Sequence, residues 1–198
     1  MHNQDIENLL IEREGMLTRE YEEALDLAGF RAQEAILDVG TGSGRMLLQL
    51  LKRGCSVVSG DINPEALTRA WERLGDLANK PIMVILDAHK IQFDDASFNA
   101  VTLVNAIHEM DDPIGALNEI TRVLTPYGKI LVVEFTSQGF EMMELHNKMQ
   151  GQGEHPKGDM STEQINHYLV SNFDHVETRE FCITHAWVAS GKKHRGNR

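Results

Sequence analysis

Two hydrophobic rhythms alternate along the chain. Residues 4–28 place Ile6, Leu9, Leu10, Leu17, Tyr21, Ala24, Leu25 and Ala28 at helical spacing, with Gly15 the one point where the helix could break. A mostly apolar run, 34–39, reads as a strand running into glycines. The segment 45–54 is helical and is stopped by Gly54. Further strand-like runs fall at 56–61, 81–87, 98–106 and 128–135, with helices at 63–74, 112–124 and 161–173 between or after them. Asn63 before Pro64, and the Ser161-Thr162 pair, are N-terminal caps of the expected kind. Residues 175–184 and 186–193 pattern as a closing hairpin.

The runs before residue 135 are near-continuously apolar, as parallel strands buried on both faces are. Such strands, alternating with helices, predict an α/β fold: a doubly wound, mostly parallel seven-stranded sheet with a terminal antiparallel strand. One domain over 1–198 accommodates this. Residues 1–30 are expected to form a helical cap, the Met- and Gly-rich insert 136–160 a lid on the substrate side, and 192–198 a flexible basic tail.

Composition narrows the partners. The net charge is −11 at pH 7, against the clustered Lys and Arg that a nucleic-acid backbone requires, so no nucleic-acid partner is expected. No apolar run approaches a membrane span, and the acidic, amphipathic start does not read as a secretory signal, so a cytoplasmic protein is expected. The two cysteines, Cys55 and Cys182, form no CxxC pair and are expected to be small buried hydrophobes.

The most specific stretch is LDVGTGSGR, residues 37–45. Gly40, Gly42 and Gly44 alternate where a strand meets a helix, the place at which a doubly wound sheet brings backbone close to a ligand. Arg45 stands where the dinucleotide fingerprint G-x-G-x-x-G ends in glycine, so the third glycine comes one residue early. Asp38 adds a carboxylate where a pyrophosphate would be repelled. An acid there suits a ligand with positive charge.

With these residues in place, the chain resembles the class I S-adenosylmethionine-dependent methyltransferases, in particular the group typified by ubiquinone and menaquinone biosynthesis methyltransferases. Residues 38–44 match the first motif of that family, D/E-x-G-x-G-x-G. The resemblance implies S-adenosyl-L-methionine as cofactor, with Asp38 holding its amino group directly or through water. It further implies that Asp61 accepts the ribose hydroxyls and Ile62 packs on the adenine. Asp87 and Ala88 would read the adenine edge, and Asn105 would line the methionine end. The segments 98–113 and 119–135 resemble the fourth and fifth motifs. Pro126-Tyr127-Gly128 departs from the usual Pro-Gly-Gly at a surface turn.

The expected reaction is in-line methyl transfer to a small-molecule acceptor, since no large recognition domain is appended. A non-catalytic protein binding the same cofactor is the alternative, and a dinucleotide oxidoreductase is less favoured. His108, Glu109, Glu134, His146, His155 and His185 are candidate bases, with His108 and Glu134 expected to act at the rim of the acceptor site. Capping of the next loop is the competing role for His108. Met142, Met143, Leu145 and Met149 could line an apolar acceptor pocket, and Gly139, Gly151, Gly153 and Gly158 could hinge the lid. Two or three histidines with Glu134 could hold a divalent metal, but no pair stands at tight helical spacing, and no metal site is expected.

Overall fold

The computed structural model describes residues 3–151 and 153–193, with side chains from Ile11 onward. In chain order, α1 is Asn3–Ala28, β1 Ala35–Val39, α2 Arg45–Lys52, β2 Ser56–Asp61, α3 Pro64–Leu74 and β3 Ile82–Ile85. Then follow β4 Phe98–Val104, α4 Pro113–Val123, β5 Leu124–Phe135, α5 Ser137–Met149, α6 Thr162–Asn172, β6 Phe173–Glu180 and β7 Thr184–Lys192. The seven strands form one sheet in the order β3-β2-β1-β4-β5-β7-β6. The first five are parallel, and β7 runs antiparallel to both β5 and β6.

Each sheet face has its own core, because neighbouring strand residues point to opposite sides. Leu37, Val39, Leu103 and Val132 join Leu117, Ile120, Leu169 and Trp187 on one face. Ile36, Leu131 and Val133 join Leu17, Leu25, Leu47, Leu50 and Leu74 on the other. The caps form as expected. Asn63 accepts from the Glu65 amide, and Ser161 makes a reciprocal capping box with Gln164.

Several expectations need correction. Gly15 does not interrupt α1. β3 is shorter than its apolar run and lies at the sheet edge, leaving Ile82 and Ile85 exposed rather than buried on both faces. The 136–160 insert is not all loop, since Thr136 caps the 13-residue helix α5. Gly139 is not a hinge: it lies in the first turn of α5, where a Cβ would overlap the Ile183 carbonyl. Met142 and Met143 pack against the α1-side core, and Leu145 is partly exposed. Cys182 is exposed, unlike buried Cys55. The tail begins later than expected, because Lys192 ends β7 and its ammonium donates to the Thr121 and Leu124 carbonyls. Residues 194–198 of the expected tail lie outside the described residues. Among the described residues, no helix is long and apolar enough to cross a membrane.

The N-terminal helix is latched to the far end of the sheet by one carboxylate. Glu20, buried in α1, accepts from the Cys182 and Ile183 amides and from the Thr184 hydroxyl at 2.7–3.1 Å. Glu20→Ala strands three donors. It is expected to lower stability by about 3 kcal/mol in urea unfolding with an unchanged m value, since unpaired buried polar groups cost about 1–3 kcal/mol each when relaxation is partial. A loss below about 0.5 kcal/mol would show that water replaces the carboxylate freely.

Candidate functional site

The chain leaves β1 outward to β2 and β3 and then returns to β4, so the strand order reverses between β1 and β4. A doubly wound sheet opens its ligand crevice at that point. A cavity of about 450 Å³ lies there. Val39 and Gly40 line it from β1, Asp61 and Ile62 from β2, Asp87 and Ala88 after β3, and Asn105, Ala106 and Glu109 after β4.

The glycine loop is held by backbone and by one acid. The amides of Gly40 and Thr41 donate to the Gly60 carbonyl at 2.8 and 3.0 Å. Asp61 accepts from the Gly42 amide at 2.8 Å and from the Asn63 amide at 2.9 Å. Gly40 has φ 76°, and a Cβ there would stand 2.7 Å from the Ala106 side chain. Gly44 has φ 75° and lies against Ala70 of α3. Both glycines are therefore required by handedness and by close approach. Asp87 accepts from the backbone amide and the ring of His89, and these bonds hold its carboxyl below the usual range.

Asp38 is placed differently from the role implied by resemblance. It is 2% exposed and lies beneath the loop, outside the cavity lining. Its two oxygens accept from Ser59 of β2 and Thr102 of β4, both at 2.7 Å. Burial pushes its carboxyl up, and the two hydroxyl bonds oppose that shift. It supports the site from below.

Asn105 marks the ligand side. Its φ is 47°, a left-handed conformation that asparagine tolerates better than most residues. Its amide donates to the Tyr21 hydroxyl at 2.7 Å, while its Oδ1 is buried without a partner among the described residues. An orphaned acceptor in a ligand cavity calls for a donor from the ligand. An ammonium fits it, and two acids at the strand ends fit hydroxyls and an amino group. The donor set therefore suits a cationic aminoacyl nucleoside better than a pyrophosphate.

The acceptor side is built around His108, in a 3-10 turn after β4. Its Nδ1 lies 2.8 Å from both oxygens of Glu134 at the end of β5. Its Nε2 lies 3.0 Å from the Nε2 of His155. The His108 side chain is 1% exposed, so it does not open onto the cavity as the sequence suggested. Gly158 explains the cover. With φ 63° its Cα sits against the His108 backbone, where a Cβ would come within 2.6 Å of the carbonyl oxygen. Burial, with His108 and His146 nearby, holds the His155 imidazole down to about 4. On the other side of this wall lies a groove of about 610 Å³, lined by Glu134, Ser137, Lys157, Asp159, Glu163 and His185 among others. His185 stacks on Trp187 and is bonded to Thr178. His146 also faces Arg13 and Arg45, and burial lowers its basicity.

Sequence reasoning missed the part played by α1. Glu14 pairs with Arg45, whose guanidinium also donates to Ser43 in the glycine loop at 2.9 Å. Nothing in the spacing of Glu14 and Arg45 announced this. The Arg45 hydrogen bond holds the Glu14 carboxyl down to about 2. A folded value below the unfolded one means stability that is present above about 4.5 and lost as pH falls toward 2. Hydrogen exchange of the middle turns of α1 should therefore quicken through that window. Glu14→Gln should remove the Glu14 contribution and leave exchange faster already at neutral pH. An identical pH profile in both forms would show that the pair does not hold α1 down.

Comparison with known proteins agrees with this architecture. Residues 37–132, from β1 through most of β5, match the family model described as a methyltransferase domain. A demethylmenaquinone methyltransferase of Thermus thermophilus is 36% identical over 114 residues, covering 57% of this chain and 52% of that protein. A ubiquinone/menaquinone biosynthesis C-methyltransferase of Methylococcus capsulatus is 33% identical over 131 residues, covering 64% of this chain and 50% of that protein. The chain thus spans about half the length of the relatives it matches. A SAM-dependent methyltransferase from Aquifex aeolicus superposes with a TM-score of 0.65 over 86% of this chain and 89% of its own, at 20% identity, which speaks to the fold alone. Residues 37–132, the stretch that carries the glycine loop, Asp61, Asp87 and Asn105, are thus a methyltransferase domain, similar in sequence to methyltransferases of quinone biosynthesis.

Proposed function

We propose that this chain transfers the methyl group of S-adenosylmethionine to a small, polar acceptor. The observation that carries this reading is the Asn105 Oδ1, buried without a partner among the described residues, in the wall of a cavity that also carries four carboxylates, Asp61, Asp87, Glu109 and Asp111, against one guanidinium, Arg69. The bound cofactor supplies an electrophilic sulfonium methyl, so the protein's task is position and field. Asn105 Oδ1 receives the ammonium, and Tyr21 fixes the amide so that its oxygen faces inward. Asp61 accepts the ribose hydroxyls through lone pairs not used by the Gly42 and Asn63 amides. Ile62 and Ala88 flank the adenine, and Asp87 takes its amino group. Asp38 holds the ends of three strands in register beneath the loop.

On the acceptor side, Glu134 keeps the His108 proton on Nδ1, which leaves the lone pair on Nε2. The adjoining groove carries Glu134, Asp159, Glu163 and Glu180, with Lys157 at its edge. That lining favours a compact polar acceptor over one with a long apolar tail, although the relatives above are named for quinone biosynthesis.

Calorimetry with S-adenosylhomocysteine tests the cofactor arm. Wild type is expected to bind at micromolar level, about −8 kcal/mol. Asp61→Ala is expected to weaken binding by about 2 kcal/mol, roughly 30-fold, through loss of charge-assisted contacts. Unchanged affinity in Asp61→Ala would reduce Asp61 to a loop brace. No heat with wild type would overturn the reading.

A further inference from the structure

We propose that His108, Glu109 and His155 form a binding site for one divalent transition-metal ion, Zn2+ foremost, whose open position takes an ionised hydroxyl or thiol of the methyl acceptor. Their candidate ligand atoms, one from each residue, all lie within 4.8 Å of one another. The two Nε2 atoms are 3.0 Å apart, and His108 Nε2 is 3.8 Å from a Glu109 oxygen. Two imidazole nitrogens on one tetrahedral zinc, each about 2.0–2.1 Å from it, stand roughly 3.3 Å apart, so the pair needs only a slight opening.

The surroundings are those of a ligand set rather than of a chance contact. Glu134 receives the Nδ1 proton of His108 with both oxygens at 2.8 Å. That bond fixes the tautomer and aims the Nε2 lone pair at His155, as carboxylates behind metal-binding histidines do. Phe135 and Phe140 pack their rings against both imidazoles, with centroids 5.2–6.3 Å away. This apolar jacket keeps competing water from the nitrogens. Glu109 is free to complete the set, since its side chain is 58% exposed and bears on the cofactor cavity.

Location gives the site its use. Glu109 borders the cofactor cavity, and Glu134, bonded to His108, borders the polar groove, so the cluster adjoins both. Two histidines and one carboxylate leave at least one position open, and zinc lowers the pKa of an oxygen or sulfur bound there. The acceptor's proton passes to solvent water on binding. The metal site itself is independent of the methyl-transfer reading; only the identity of its fourth ligand rests on it.

The test is Zn2+ alone, titrated calorimetrically into the chelator-treated full chain without cofactor or acceptor. One equivalent should bind. Co2+ in its place should give the visible d–d bands of a low-coordinate nitrogen and oxygen site. His155→Ala and Glu109→Gln should each weaken Zn2+ at least tenfold and remove those bands, with melting of the metal-free protein unchanged. His167→Ala with His175→Ala, both exposed and remote, should leave binding intact. The proposal is overturned if wild type takes up no stoichiometric metal, or if uptake survives His155→Ala. S-adenosylhomocysteine binding, measured on His155→Ala, reports separately on the cofactor reading and should not change.

Discussion

One buried carboxylate sets the geometry on which the ligand crevice depends. Among the described residues no cation stands beside Asp38, and it is 2% exposed. Left unpaired, an ionised group in that position would cost several kcal/mol. Ser59 of β2 and Thr102 of β4 each give it a hydroxyl at 2.7 Å, and Thr41 bonds onward to Ser59. These bonds join the three central strands at one level near their carboxyl ends. The glycine loop, the Asp61 brace and the Asn105 turn all start from that level. The cavity is therefore shaped before any ligand enters, which reduces the ordering cost of binding.

Much of this was legible in the sequence. Strand β1, the glycine loop and α2 announced themselves because an apolar run, alternating glycines and an amphipathic helix have few competing readings. The caps at Asn63 and Ser161 were equally clear, since side-chain oxygens there answer orphan amides in the first helical turn. Spacing also carried Asp61, Asp87 and Asn105 to the strand ends, where the cavity is. Less legible was what only tertiary packing decides. α5 was hidden because its apolar side is interrupted by Glu144, His146 and Lys148, and because Gly139 suggests a loop until its neighbour, the Ile183 carbonyl, is known.

Burial of the histidines was the other loss. Periodicity can give the face on which His108 lies, but not that Gly158, fifty residues later, lies against it. His155 approaches from an irregular segment with no period at all. The pairing of His108 and His155 therefore belongs to the fold, and i, i+4 spacing was the wrong test for it. Asp38 is the converse case. Its place in a motif was correctly read, yet motif membership alone did not distinguish a group that faces the ligand from one that holds the floor beneath it.

Glu14, Glu20 and Tyr21 all lie in α1, and each reaches a different part of the molecule: the glycine-loop helix, the turn before β7 and the Asn105 amide. Glu14 and Tyr21 are seven residues apart, close to two helical turns of about 3.6 residues each, so they share a face. Removing a single residue between Glu14 and Glu20 would turn one group away from the others by about 100°. No small bend could restore all the contacts. α1 thus behaves as a key cut to a single phase. Point substitutions can drift along its outer side, but insertions and deletions within it are closed to evolution unless the whole lock is recut.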